Sequence, residues 1–252
     1  VRRLNGIGLA FVLFLLTGAG FSSFAEEPMP FSAFVEAARH PNSASTYAML
    51  EGTLQHRRKG AENLSVPLYF GIIIQPKRST GQLILDGRES YLLGQTREEG
   101  GSTVVRNGPG SGVLDRAGVR ASDLTLGFLF YPVVKELEPA TLNGFIPCRV
   151  GLFRAPDGSE EVKIYLARDY RFPLKAEFFR KGGSEPYRTL ECGGFTQEEG
   201  VWYTRRIRLE GPGWATRIEF DPDRAKVGLF DAAKAPAVIR DVAPVPAAET
   251  KK

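Results

Sequence analysis

Residues 160–180 read EEVKIYLARDYRFPLKAEFFR, and the period of that stretch decides the fold. Val162, Ile164 and Leu166 oppose Glu161 and Lys163; after a polar break, Leu174, Ala176 and Phe178 oppose Lys175 and Glu177. A period of two with hydrocarbon on one side and charge on the other predicts half-buried β-strands. Upstream, Ile146, Cys148, Val150 and Leu152 share a face opposed by Pro147, Arg149 and Gly151. Downstream, Leu190 and Cys192 oppose Thr189 and Glu191, and Tyr203, Ile207 and Leu209 oppose Thr204, Arg206 and Arg208, with Arg205 out of step. Trp214, Thr216, Ile218 and Phe220 then oppose Arg217 and Glu219. Turn residues separate these runs: Pro156-Asp157-Gly158, Lys181-Gly182-Gly183, Glu198-Glu199-Gly200 and Gly211-Pro212-Gly213. Six segments joined by short turns predict an antiparallel meander covered on one side, and a long twisted meander curls. The expected class is therefore α+β: a strongly curved antiparallel sheet, an unclosed half-barrel, with short helices covering an apolar concave face.

The first half carries the same signal less cleanly. Residues 31–38 (FSAFVEAA) place Phe31, Phe34, Val35 and Ala38 on one stripe of a short helix between Pro30 and Pro41. Strands are expected from Tyr47 to about Arg58 and from Leu64 to Gln75. Thr80 to Leu85 and Ser90 to Gln95 follow around an Asp86-Gly87 turn. Residues 122–131 break the pattern. Ser122-Asp123 starts a helix, and LTLGFLFY at 124–131 is apolar around nearly its whole circumference until Pro132 stops it. Such a helix must be buried on all sides or meet something apolar.

Residues 1–25 read as an address. Arg2 and Arg3 precede an uncharged apolar run at 7–16, and Ser23-Phe24-Ala25 supplies small residues for cleavage near Ala25. The run is short for a membrane span, and no Cys follows it for lipid attachment. The expected organisation is a signal peptide at 1–25, one domain at 26–233, and a disordered Ala- and Pro-rich tail at 234–252. Cleavage would release a soluble chain into the periplasm.

Composition and motifs narrow the chemistry. The 252 residues are 42% hydrophobic and 25% charged, which excludes disordered and collagen-like classes. A formal charge of +4, falling to +2 without Arg2 and Arg3, is too mild to name nucleic acid as a partner. Two His and two Cys suit neither a zinc cluster nor a disulfide framework. His40 and His56 are expected at the surface, and the pairs Glu98-Glu99, Glu160-Glu161 and Glu198-Glu199 as solvated turn acids. Gly108-Pro109-Gly110-Ser111-Gly112 lacks the flanking elements of a phosphate cradle and reads as a loop. No catalytic constellation, metal site or cofactor is expected. In a meander Cys148 and Cys192 lie three strands apart, roughly 14 Å at ~4.8 Å per strand, beyond disulfide reach. Two buried thiols on the inner face are expected.

Residues 122–221 resemble the periplasmic outer-membrane lipoprotein-sorting family, the LolA/LolB-like carriers. The residues that carry the resemblance are Asp123-Leu124, Gly144 with Cys148 four residues on, and Lys163-Ile164-Tyr165. Phe172-Pro173-Leu174-Lys175-Ala176-Glu177-Phe178-Phe179, Gly200-Val201-Trp202-Tyr203 and Ala215-Thr216-Arg217-Ile218 continue it in order. The resemblance implies an unclosed barrel, plugged by helices, that holds the acyl chains of a lipidated protein. It implies a non-enzymatic carrier whose partners are lipoprotein acyl chains or other lipid, with transient membrane contact and a monomeric state. The candidate cavity and lid residues are Leu124, Phe128, Tyr131, Ile164, Leu174, Phe178, Ile207 and Ile218. Three rivals stand beside the carrier: an envelope sensor of the same fold that captures without transporting, a hydrolase, for which no residues nominate themselves, and side chains that simply fill a core.

Overall fold

Alternating hydrocarbon and charge folds into a single sheet that never closes. The computed structural model describes residues 29–41, 44–107, 112–234 and 236–242. The expected signal peptide, the loop at 108–111 and the tail beyond 242 lie outside them. In chain order the elements are α1 (Phe31–Arg39), β1 (Thr46–Arg58), β2 (Leu64–Ile74), β3 (Arg78–Leu85), β4 (Glu89–Thr96) and β5 (Thr103–Asn107). Helices α2 (Val113–Arg116) and α3 (Ala121–Leu124) and a 3-10 turn (Gly127–Phe130) come next. The second half is β6 (Val133–Leu142), β7 (Ile146–Arg154), β8 (Glu160–Ala167), β9 (Pro173–Arg180), β10 (Arg188–Glu198), β11 (Val201–Gly211), β12 (Trp214–Phe220) and β13 (Lys226–Leu229). Among the described residues no helix is long and apolar enough to cross a membrane.

All pairings are antiparallel, in the order β5-β4-β3-β2-β1-β12-β11-β10-β9-β8-β7-β6. Two meanders are thus joined where β12 returns to β1, Leu54 facing Ile218. Strand β13 continues that seam along the start of β1, off the main path. Strands β5 and β6 are the free edges. Edge strand β6 carries Pro139 at a register shift, where a missing N–H costs the ladder nothing.

The concave face gathers one large core from both meanders, including Leu50, Leu54, Phe70, Leu83, Val162, Ile164, Phe178, Leu209 and Ile218. Helix α1 lies on this core through Phe31, Phe34, Val35 and Ala38, the stripe its spacing foretold. Gly151 makes room for it: a Cβ there would sit 2.5 Å from the Phe31 ring.

Four expectations need correction. First, Cys148 and Val150 are not on the concave face. They form a small cluster with Tyr165 on the opposite face, while Phe153, two residues beyond Gly151, enters the main core. The cause is Arg149, whose charge is not spent on solvent. Its guanidinium lies 5.1 and 4.9 Å from the Phe31 and Phe34 ring centroids and donates to Met29 O at 2.6 Å. Hence the two thiols are buried and unbridged, three strands apart, but on opposite faces.

Second, Leu174 does not follow Ala176 and Phe178. Leu166 pairs Pro173 whereas Tyr165 pairs Lys175, so Leu174 is the extra residue of a bulge and packs on the Cys148 side. Third, 124–131 is not one helix. Helix α3 ends at Leu124, Leu126 adopts a left-handed φ of 52°, and a 3-10 turn completes the segment. A Cβ at Gly127 would sit 2.5 Å from Thr103 Oγ1 and 2.6 Å from Gln95 Oε1, so the turn is built around a glycine there. The all-round burial is nevertheless real, for Leu124, Phe128, Leu129 and Phe130 are all buried.

Fourth, the tail is ordered as far as residue 242, apart from the undescribed residue 235. Val238 is buried, Tyr69 Oη donates to its carbonyl at 2.5 Å, and the Gln82 amide brackets Arg240 (N to Oε1 2.7 Å, Nε2 to O 2.9 Å). The Arg240 guanidinium stacks 3.5 Å from the Tyr69 centroid. This strap crosses the convex face of β2 and β3, which is why residues 68–72 are buried on both faces.

Candidate functional site

The site is built where the strand ends of both meanders meet the C-terminal end of α1. The starts of β1, β9 and β11 and the end of β2 frame one rim, and the segment 124–130 closes over it. Between them lies a cavity of about 200 Å³. Its inner wall is apolar: Leu50, Phe70, Ile72, Leu124, Ile207 and Phe220 line it. At its mouth Tyr170 and Trp202 are 74% and 51% exposed, with ring centroids 6.2 Å apart. Ligand pockets for drug-sized molecules run to ~300–1,000 Å³, so the space holds a segment of one chain rather than a bulky guest.

Of the eight candidate residues, Leu124 and Ile207 line this cavity. Phe128, Ile164, Phe178 and Ile218 belong to the same core but are packed against other side chains; Phe128 meets Phe178 edge-on with centroids 5.4 Å apart. Tyr131 is half-buried beside that core, and Leu174 is on the other side of the sheet. The strand pattern assigned the apolar face of β8, β11 and β12 as observed and that of β7 and Leu174 wrongly, and the opening lies along β1, β2 and the β8–β9 turn, outside the eight candidates.

Polar groups hold the covering segment down. Arg39, buried at the end of α1, donates to Leu129 O at 3.0 Å and Tyr131 O at 2.8 Å, and pairs with Glu99 at 3.0 Å. Asp123 of α3 is wholly buried, receives the Arg120 N–H at 2.7 Å and pairs with Arg188 of β10 at 2.6 Å. Burial pushes its carboxyl up and Arg188 pulls it back down, leaving it raised. Arg120 reaches Glu160 of β8 at 2.9 Å and the Tyr187 hydroxyl at 2.6 Å. Glu160 is therefore buried within an ion-pair network and is not the solvated turn acid expected. Its charge, after burial itself, helps push the Tyr131 phenol up to about 12. Arg39 and Arg97 close this segment to the sheet, and no periodicity marks them: a lone Arg at the end of a helix or strand looks like any solvated residue.

The histidines divide. His40 contacts Glu36 at 3.2 Å near the surface. His56 is buried rather than exposed, its Nδ1 2.8 Å from Thr216 Oγ1 and its ring beside Trp214. Burial first, then Arg58, pulls its pKa down, so the ring stays neutral. Burial likewise pushes the Cys192 thiol up to about 12, a poor nucleophile. Among the described residues no group of three or more His, Cys, Asp or Glu gathers to hold a metal.

No family model and no curated protein sequence matches the chain. Solved structures do. A DUF1329 family protein from Desulfovibrio piger superposes with a TM-score of 0.62 at 17% identity, covering 82% of this chain and 96% of its own. A putative outer membrane lipoprotein-sorting protein domain from Vibrio parahaemolyticus gives 0.57 at 14%, covering 82% and 94%. The LolA superfamily protein NE2245 from Nitrosomonas europaea gives 0.50 at 13%, covering 79% and 91%. The chain has the LolA-like fold. At such identities the likeness speaks for architecture: a LolA-like open sheet with its concave face covered, shared across nearly the full length of each neighbour.

Proposed function

We propose that the protein is a soluble periplasmic carrier that takes an acyl chain of a lipoprotein or other lipid into the concave face of its sheet. The observation that carries this reading is the apolar cavity under the 124–130 segment, open at an exposed Tyr170–Trp202 pair. The LolA-like architecture supports it, as does the sequence pattern of an export signal at 1–25. Each buried CH2 contributes ~0.8 kcal/mol, so a chain partly inserted binds weakly enough to be passed on. Deeper insertion requires the covering segment to move outward, exchanging contacts such as that of Phe128 with Phe178 for contacts with the guest. Aromatic residues at the mouth suit the membrane–water boundary, where ligand would be collected and delivered. The work is transfer between surfaces, without covalent chemistry.

A fluorescent acyl probe tests this on the mature chain. Saturable binding is expected, and Ala44→Trp, which obstructs the mouth from an exposed position, should weaken it at least ~10-fold with the unfolding midpoint unchanged. An Ala44→Trp protein that binds like wild type would place the guest elsewhere.

A further inference from the structure

The cavity has an electrostatic asymmetry that a purely hydrocarbon guest does not call for. Three arginines line it, Arg39, Arg97 and Arg171, and among the described residues no Asp or Glu does. Arg39 is neutralised from behind by Glu36 and Glu99. Arg97 is different. It follows β4, is only 9% exposed, and makes no ion pair among the described residues. Its Nη1 reaches the Ser79 hydroxyl at 3.4 Å, its Nη2 donates to Arg39 O, and its Nε is buried with no partner. The Phe130 ring, centroid 5.3 Å away, covers one side of the guanidinium. Burial lowers its pKa, and no nearby carboxylate offsets that effect. An arginine stays charged in proteins, and a buried one that lines an apolar cavity with no ion pair among the described residues favours an anionic partner there. Arg171 adds an exposed cation at the mouth beside Tyr170, held there by a left-handed φ of 54°.

We propose that the guest is an anionic amphiphile with one chain in the cavity, its carboxylate or phosphate headgroup held at the rim by Arg97 with Arg171 outside it. This deepens the carrier reading, on which it rests, by assigning the headgroup class and the residue that selects it. The guanidinium fork matches either oxyanion in two-point fashion, and such charge-assisted bonds strengthen where water is excluded. Apolar wall and cationic rim together discriminate against an alcohol, which offers no charge, and against a cationic head, which Arg97 repels.

Delipidated mature protein should be titrated with dodecyl phosphate, dodecanoate, dodecanol and dodecyltrimethylammonium, each below its micellar concentration, following Trp fluorescence. Both anions should bind at least ~10-fold more tightly than dodecanol, and the cation most weakly. The stronger of the two anions tells a phosphate headgroup from a free carboxylate. In Arg97→Gln, verified as folded by its circular dichroism and melting curve, the anions should fall to within ~2-fold of dodecanol. Should that variant not fold, Arg97→Lys, keeping charge without the fork, should reduce the anion preference several-fold, and the wild-type series decides regardless. Equal binding of dodecanol and the anions would overturn the headgroup assignment and leave the carrier intact. Undiminished anion preference in a folded Arg97→Gln would overturn the role of Arg97. Failure of every dodecyl compound to bind would sink the carrier reading itself.

Discussion

Arg97 and His56 show how one side chain can be buried at a cost that the fold tolerates for different reasons. Arg97 is buried with no ion pair among the described residues, and the proposed anionic guest would supply one. His56 gives up its charge: the Thr216 hydroxyl donates to Ala117 O at 2.5 Å and accepts from the neutral ring. With its native pKa below the ordinary 6.5, the unfolded chain takes up the proton first as pH falls. The contribution of His56 to stability is therefore complete above pH 6.5 and is lost as the solution is acidified through the native value. Urea midpoints measured from pH 7.5 down to about 5 should fall for wild type and fall less steeply for His56→Gln. Parallel slopes would mean that His56 titrates alike in both states. Nothing in Gln55-His56-Arg57-Arg58 distinguishes this residue in sequence except its parity with Leu54, because burial of a polar residue depends on what crosses above it. Here that is Ala117 and Trp214, from a loop and a strand far along the chain.

Strands were legible whether one face was wet, as in β8, or both were dry, as in β2 and β3; which face each residue takes was legible only where one face carries charge. From β8 to β12 the alternation of charge assigned the concave side correctly at Ile164, Phe178, Leu190, Ile207 and Ile218. In β7 it failed because Arg149 lies on an aromatic pair, and at Leu174 because a bulge shifts parity by one. Elements β5, α2 and β13, of four or five residues, have too few periods to register, and β6 buries neither face fully. The strap at 236–242 escaped for a further reason. It has no secondary structure of its own, and its order comes from Tyr69, Gln82 and Glu51 on the sheet. Gly71 lies directly under Val238 O, so a side chain there would lift the strap away. Val238→Asp should release residues 236–242 to proteolysis and lower the melting temperature by about 4–10 °C, the loss of ~1.5–3 kcal/mol of burial. Unchanged protection of the strap would show that its backbone contacts suffice without Val238.

At the scale of the whole molecule, the open sheet puts the core and the proposed binding cavity on the same face. The two meanders joined along β1 and β12, with β13 beside β1, stay open and leave a hollow that α1 and the 124–130 segment cover. Those covers are tied down by Arg39 to backbone carbonyls and by Asp123 and Arg120 to the sheet, and the cavity beneath the 124–130 segment is about 200 Å³. Carrier activity then depends on whether a guest replaces the covering segment in the native setting. Native mass spectrometry of the protein isolated from the cells that make it measures this directly. The account predicts a fraction of molecules carrying one acyl-chain ligand, released as delipidation proceeds and restored by added amphiphile. Protein that emerges empty, and stays empty when offered such a compound, would contradict it.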